Sequence, residues 1–156
     1  MFMVIAIAEA IAGYAPYKQN NGAVDIAKAV HKYSSQMKVD PAMTVAIISV
    51  ESEFKEQAES KTGRVGLMQI TPKYANEHSG GEHYELGELK VVPVNVKIGT
   101  NIMRFWKRYH RNKCKDGSHH WVQHYHGGKK VDSNKWYADK VLERHKYFST
   151  KIKEGL

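Results

Sequence analysis

The sequence predicts a mainly α-helical single domain that spans residues 1–156. Helix signals recur along most of the chain, whereas strand character is limited to Arg64–Ile70 and Leu89–Val94. With 156 residues and 42% hydrophobic content, the chain is long enough to bury a core. It contains no linker-like or repeated segment, so we expect one domain.

The individual helices are predicted from apolar spacing and from start and stop signals. Met1–Ala15 is apolar apart from Glu9, and we expect residues 1–20 to pack on the domain or on a partner. Asp40-Pro41 marks a helix start, because Asp caps free amides and Pro is pre-set for the first helical position. The predicted helices are Ala23–Met37, Pro41–Phe54, a short segment after Pro72, Pro93–Arg111, a short segment after its cap Ser118 that ends at Gly127-Gly128, and Ser133 to about Lys151.

Glu51 is the candidate catalytic residue. It lies four residues after Ile47 and three before Phe54, on the apolar face of its predicted helix. Glu53 and Glu56 fall on the solvated side. Burial disfavours the charged carboxylate and raises its pKa, which suits a group that donates a proton near neutral pH. A buried Glu in a structural hydrogen-bond network would fit the same pattern.

The residues around and beyond Glu51 resemble a known signature. The matching segments are Glu51-Ser52-Glu53-Phe54, then Ala58, Ser60 and Gly63, then Gly66-Leu67-Met68-Gln69-Ile70-Thr71-Pro72. Further matches are Pro93-x-Asn95-Val96-x-x-Gly99, Gln123-His124-Tyr125-His126-Gly127-Gly128 and Trp136-Tyr137-Ala138-Asp139-Lys140-Val141-Leu142. Over roughly Ala23–Phe148 the chain resembles the soluble lytic transglycosylase (SLT) catalytic domain family, which is similar to goose-type lysozyme.

The resemblance implies a lysozyme-like fold and a peptidoglycan lytic transglycosylase. Such enzymes cleave the β-1,4 bond between MurNAc and GlcNAc, and attack by the muramic-acid C6 hydroxyl leaves a 1,6-anhydro product. Glu51 would act as general acid and then as general base, with Tyr125 reaching its carboxyl or the sugar. The implied substrate-binding residues are Ser52, Met68, Gln69, Tyr125, His126 and Tyr137. Ordinary packing competes with this role for Ser52, Met68, Gln69 and Tyr137.

Several histidines need a separate explanation. His126 stands where the family has Asn, and because a protonated His can only donate, we expect an altered pH response. His120 and His124, beside His119, have the i,i+4 spacing of a helical zinc pair. No cysteine lies among them, and Cys114 precedes a polar Lys-Asp-Gly turn. We therefore expect surface or cleft histidines, no metal site and no cofactor.

Positive charge is concentrated in the second half of the chain. Residues 1–78 hold eight Lys/Arg and eight Asp/Glu, and residues 79–156 hold sixteen and eight, so the formal charge of +8 belongs to the second half. A basic surface favours an anionic partner. We expect peptidoglycan glycan strands. Nucleic acid is not expected, because no nucleic-acid motif accompanies the basic run Arg104–Lys115.

The amino-terminal segment bears on localisation. It has no Lys or Arg before Lys18 and is too short to span a bilayer, so we expect neither a signal peptide nor a stable membrane span. An enzyme that acts at the bacterial cell wall or periplasm would then need another delivery route, as in a phage lysin or a virion component with a virion or envelope partner. Two alternatives remain open: a hydrolytic muramidase of the same fold, and a weakly active glycan-binding or structural component.

Overall fold

The computed structural model describes residues 1–18, 21–114, 117, 119–131 and 133–156. The mainly α prediction is confirmed. The helices are α1 (Phe2–Tyr14), α2 (Asn21–Met37), α3 (Pro41–Glu51), α4 (Pro72–His78), α5 (Val92–Lys113), α6 (Val122–Gly127) and α7 (Lys135–Glu154), with 3-10 turns at Pro16–Lys18 and Glu88–Lys90. Within the described ranges, no helix is both long enough and apolar enough to cross a membrane.

The two segments with strand character, Arg64–Ile70 and Leu89–Val94, form no strand among the described residues. In the first segment, Val65 makes isolated bridges to Glu59 and Ile70, because positive φ angles at Gly66 and Gln69 bend the backbone away from an extended path. In the second segment, Glu88–Lys90 forms a 3-10 turn and α5 begins at Val92. Pro93 fits the first turn of that helix, where its missing N–H costs nothing.

Helix α3 is buried on all sides and lies at the centre of the fold. Every residue from 42 to 49 is buried, and α3 packs on α2 and α7. A helix that is apolar all round belongs in a core. Around it, α1 packs on α2 and α7, α2 packs on α5, and α5 contacts α4 and α6.

The predicted start of α3 is confirmed at Asp40. Its Oδ1 accepts a 2.9 Å hydrogen bond from the Ala42 N–H, with Pro41 in the first turn. Its Oδ2 lies 2.6 Å from Nε2 of His145 on α7. This contact is the main reason why the pKa of Asp40 is lowered. The cap of one helix therefore also ties that helix to α7.

The predicted end of α3 at Phe54 is wrong, because the helix stops at Glu51. Glu53 and Phe54 have φ angles of 50° and 62°, in the left-handed region that non-glycine residues seldom adopt. The reversal turns Phe54 into an aromatic cluster with Tyr14 and Phe148, where its side chain is fully buried. Burial of an aromatic ring offsets the backbone strain.

Candidate active site

The Glu51 carboxyl lies at the carboxyl end of α3 and faces the first turn of α7. The Tyr137 hydroxyl donates a 2.6 Å hydrogen bond to its Oε1. Burial raises the pKa of Glu51 to about 7, while the Tyr137 hydrogen bond and the charge of Arg64 act in the opposite direction. Near neutral pH this carboxyl is therefore partly protonated and partly ionised. A group that both donates and accepts a proton needs both forms.

Arg64 is a member of this site that sequence reasoning missed. Its charge acts on Glu51, Tyr125 and Tyr137. One of its terminal nitrogens also approaches the His126 carbonyl oxygen at 3.4 Å. The position of Arg64 between Gly63 and Gly66 could have pointed to this role. A long basic side chain projects from such a tight turn, and this turn follows the candidate acid.

The turn after Arg64 is held against α5 by a single amide side chain. Asn95, fully buried, accepts a hydrogen bond from the Met68 N–H at 2.7 Å and donates to the carbonyls of Val65 and Leu89 at 3.1 and 2.6 Å. A Cβ at Gly66 would lie 2.2 Å from the Asn95 amide nitrogen, so glycine is required there. Asn95 thereby fixes the turn that carries Gln69.

Met68, Ser52 and Gln69 make mostly internal contacts. Met68 is fully buried and packs so tightly on α5 that a Cβ at Gly99 would lie 2.1 Å from its sulfur. The Ser52 hydroxyl donates to the Ile48 carbonyl at 3.2 Å rather than to Glu51. The Gln69 amide nitrogen donates to the carbonyls of Ala58 and Gly66, which leaves its oxygen as the group it can offer to a ligand. These contacts match the packing interpretation of Ser52 and Met68.

Helix α6 carries Tyr125 and His126. The expected cap of this helix, Ser118, lies outside the described residues; the helix ends at Gly127, and the Gly128 that follows has a φ of 63°. The Tyr125 hydroxyl donates to the Met68 carbonyl at 3.1 Å, so the phenol that contacts Glu51 is that of Tyr137. The His126 ring stacks on Tyr137 with centroids 4.6 Å apart. Burial and the nearby Arg64 charge lower the pKa of His126.

A cleft of about 760 Å³ opens beside these residues. Within the described part of the chain, the buried His126 Nδ1 has no hydrogen-bond partner, and Tyr74 Oη and Trp106 Nε1 have none besides each other. All three residues line this cleft. Because buried polar groups are ordinarily paired, His126 Nδ1 and the Tyr74 hydroxyl have hydrogen-bonding capacity left for a polar ligand. Burial also raises the pKa of Tyr74 to about 12, so its hydroxyl stays protonated.

Residues of both charges line the cleft, but Glu51 is not one of them. Arg64, Tyr125 and His126 connect the cleft to the Glu51 carboxyl. Gln69 also lines the cleft, whereas Ser52, Met68 and Tyr137 do not. The basic lining residues are Arg64, Lys73 and Lys129, and the acidic one is Glu77, which the sequence analysis did not single out.

His120 and His124, whose spacing fits a helical zinc pair, have different partners. The His120 ring accepts a hydrogen bond from the Val122 N–H through Nδ1 at 3.2 Å. The His124 ring contacts His119 and Cys114 instead. Cys114 therefore lies close to the histidines, although the sequence analysis placed it apart from them.

Comparison with known proteins identifies the family. The family model described as the transglycosylase SLT domain matches residues 28–147, well over half of the chain. An X-ray structure of an inactive Glu-to-Gln mutant of the lytic transglycosylase Slt from Pseudomonas aeruginosa matches with a TM-score of 0.63 and 17% sequence identity. The match covers 81% of this chain and 24% of that one, so the chain spans about a quarter of the length of that protein. The chain belongs to the transglycosylase SLT domain family and has its mainly α, lysozyme-like fold.

Proposed function

We propose that the protein is a peptidoglycan lytic transglycosylase that acts at the bacterial cell wall, with Glu51 as its catalytic acid and base. The observation that carries the proposal is the Glu51 carboxyl, which has a pKa of about 7 and is held by Tyr137. The similar Slt structure is of an inactive mutant in which a Glu is replaced by Gln, and Glu51 is our candidate for the same role in this chain.

The cleft supports a glycan as the ligand. The Tyr74 hydroxyl and His126 Nδ1 can bond to hydroxyl and N-acetyl groups of a sugar. The exposed aromatic ring of Phe105 offers an apolar face to the cleft. Peptidoglycan carries carboxylates on its peptide stems, and the basic side chains of Arg64, Lys73 and Lys129 suit such a strand.

The proposed reaction needs one protein carboxyl. The Glu51 acid donates its proton to the glycosidic oxygen, the bond from MurNAc C1 to that oxygen breaks, and GlcNAc leaves with a free 4-hydroxyl. The resulting Glu51 carboxylate, stabilised by the Tyr137 hydroxyl, takes the proton of the MurNAc C6 hydroxyl as its oxygen attacks C1. The product is a 1,6-anhydro sugar, no water is consumed, and Glu51 ends protonated.

A hydrolytic muramidase is the second candidate, and Glu77 is the observation that favours it. A second carboxylate across the cleft can activate water or form a covalent intermediate. Glu77 lines the cleft, but it is exposed and its charge acts on Tyr74 and His78 rather than on Glu51. Glu56 and Glu59 form ion pairs with Lys18 and Lys90. Transglycosylation therefore remains our first choice.

Mass spectrometry of peptidoglycan digested in heavy-oxygen water separates the candidates. We expect 1,6-anhydro ends without the label for the unaltered protein and for Glu77→Gln, and no product for Glu51→Gln. Labelled reducing ends that disappear in Glu77→Gln would establish the muramidase instead. Glycan binding without either product in the unaltered protein would indicate a binding or structural module.

A further inference from the structure

A cluster of nitrogen and sulfur donors lies at the carboxyl end of α5. His110, Cys114 and His119 each present one donor atom, and these atoms lie within 4.8 Å of one another. His124, on α6, joins them: its Nε2 lies 3.6 Å from Cys114 Sγ and 3.0 Å from His119 Nε2. Side chains from α5, from α6 and from His119 between them thus form one cluster of donors.

The separations are close to those around a bound zinc ion. Tetrahedral Zn²⁺ holds thiolate sulfur at about 2.3 Å and imidazole nitrogen at about 2.0–2.1 Å, which puts a sulfur and a nitrogen ligand about 3.6 Å apart and two nitrogen ligands about 3.3 Å apart. The Cys114–His124 and His119–His124 separations are 3.6 and 3.0 Å, and the donors of His110, Cys114 and His119 lie within 4.8 Å of one another. The His110 Nε2 donates to the His119 carbonyl oxygen at 2.8 Å, which leaves Nδ1 as the nitrogen that His110 can offer to a metal.

We propose that His110, Cys114, His119 and His124 bind one Zn²⁺ ion in a structural Cys-His₃ site. One thiolate with several imidazoles is a donor set that zinc favours. Such a site ties the end of α5 to α6 and holds the helix that carries Tyr125 and His126. The inference concerns the stability of that helix and goes beyond the proposed glycan chemistry.

The surroundings of His124 are those of an oriented metal ligand. Its Nδ1 donates to the Gly128 carbonyl at 2.7 Å, which leaves the lone pair on Nε2, the nitrogen that faces the cluster. Metal-bound histidines commonly have such a partner on the second nitrogen. The ring is buried and stacks on Trp106 at 5.1 Å with planes 10° apart, so its orientation is fixed.

A metal-free network of weak hydrogen bonds is the competing explanation. In that case His119 and His124 share one proton, and Cys114 is a weak donor to imidazole. The two explanations differ in one measurable property, because only the zinc site requires the sulfur and the imidazoles to bind the same ion.

The test uses the whole chain, freed of metal by a chelator. We expect calorimetric titration to show one Zn²⁺ per chain, and Co²⁺ in its place to show a sulfur charge-transfer band and the intense visible bands of tetrahedral coordination. Cys114→Ser should remove the charge-transfer band. Cys114→Ser and His119→Ala each remove a direct ligand, so each should weaken zinc binding by at least the roughly 10–100-fold that loss of an outer-shell partner costs. The matched control is His83→Ala, which removes an exposed histidine outside the cluster and should change neither result.

Two results would overturn the proposal. One is a Co²⁺ complex of the unaltered protein without a sulfur band, or no specific Zn²⁺ binding at all. The other is a Cys114→Ser protein, shown to be folded by circular dichroism, that binds zinc as the unaltered protein does. If the variants do not fold, the Co²⁺ spectrum of the unaltered protein decides alone. No substrate is used, so the outcome is independent of the proposed glycan cleavage.

Discussion

The Tyr137 hydroxyl contacts the Glu51 carboxyl at 2.6 Å, although the two residues are 86 positions apart in the chain. The contact joins the last residue of α3 to the first turn of α7, across an interface between two packed helices. It opposes the rise in the pKa of Glu51 that burial causes. The tyrosine thus acts on the acid itself, and its removal should change both the rate and the pH at which the acid ionises.

Tyr137→Phe should reduce glycan cleavage more than Tyr125→Phe does. The first change deletes a hydrogen bond to a charged group, on the order of 1.5–3 kcal/mol, whereas the second deletes a neutral bond to the Met68 carbonyl, about 1 kcal/mol. Without the Tyr137 bond the Glu51 pKa rises, so the alkaline limb of the kcat profile should move to higher pH. Steady-state kinetics over a pH series measures both effects. Equal losses in the two variants would contradict this assignment.

Glu51→Gln should abolish turnover and also stabilise the fold above neutral pH. The folded pKa of about 7 exceeds the ordinary value of 4.5, so the native state binds more protons and loses stability as the pH rises through 7. Gln does not ionise and avoids this loss. We expect a gain of roughly 1–3 kcal/mol in the free energy of unfolding at pH 8, and almost none at pH 4. Urea unfolding at the two pH values is the measurement, and a pH-independent difference would rule out this linkage.

His126→Asn should be tolerated at neutral pH and should change the acid limb of activity. Burial and Arg64 lower the pKa of His126, so the ring is neutral at pH 7 and gains its charge only in more acidic solution. That charge would place a second cation beside Arg64, whereas Asn does not titrate. The acid limb of the variant should therefore lie at lower pH. His83→Asn, at an exposed position, is the control; identical acid limbs in all three proteins would refute the role.

Asn95→Ala should destabilise the fold by roughly 2–4 kcal/mol. The change leaves the Met68 N–H and the carbonyls of Val65 and Leu89 buried without their partner, and each such loss costs about 1–3 kcal/mol before relaxation. Denaturant unfolding measures the loss. Asn112→Ala, at an exposed position on the same helix, should change stability by less than about 0.5 kcal/mol. Similar effects of the two substitutions would show that Asn95 does not hold the turn.

Added salt should slow cleavage of peptidoglycan, because exposed charges more than about 10 Å apart are largely screened at 0.1 M salt. Lys129→Gln, in the cleft wall, should reduce both the rate at low salt and its dependence on salt. Lys153→Gln, on the exposed face of α7, should leave both unchanged. Turbidity clearing of wall suspensions from low salt to several hundred millimolar gives the comparison; a flat profile removes the electrostatic contribution.

Much of the fold follows from local sequence signals. The Asp40-Pro41 start and the helical periods locate helices that the structure contains. The end of α3 could not be predicted in this way, because residues 52–54 contain no Gly or Pro. The reversal depends instead on burial of Phe54 against Tyr14 and Phe148, residues far away in the chain. Local patterns carry no information about such contacts.

The candidate site likewise depends partly on local sequence signals and partly on contacts between distant residues. The position of Glu51 on an apolar helix face was readable from the spacing, whereas the choice between Tyr125 and Tyr137 as its partner depends on how α6 and α7 pack. Arg64 acts on Glu51 and lines the cleft, and Glu77 also lines the cleft. Both positions depend on how a loop and a helix are placed in the fold, which local sequence does not show. Cys114 is a further case: its i,i+4 spacing from His110 was visible in the sequence, whereas its nearness to His119 and His124 depends on how the helices pack.

The aromatic cluster of Tyr14, Phe54 and Phe148 has a consequence for the order in which the protein is made. It joins the first helix, the segment just after Glu51 and the last helix, with Tyr14 and Phe148 ring centroids 5.2 Å apart. A growing chain holds Glu51 long before α7 emerges, so the acid then lacks both the cluster and Tyr137. Contacts between such distant residues form late and slowly. We therefore expect the proposed cleavage by a nascent chain to begin only after α7 has docked.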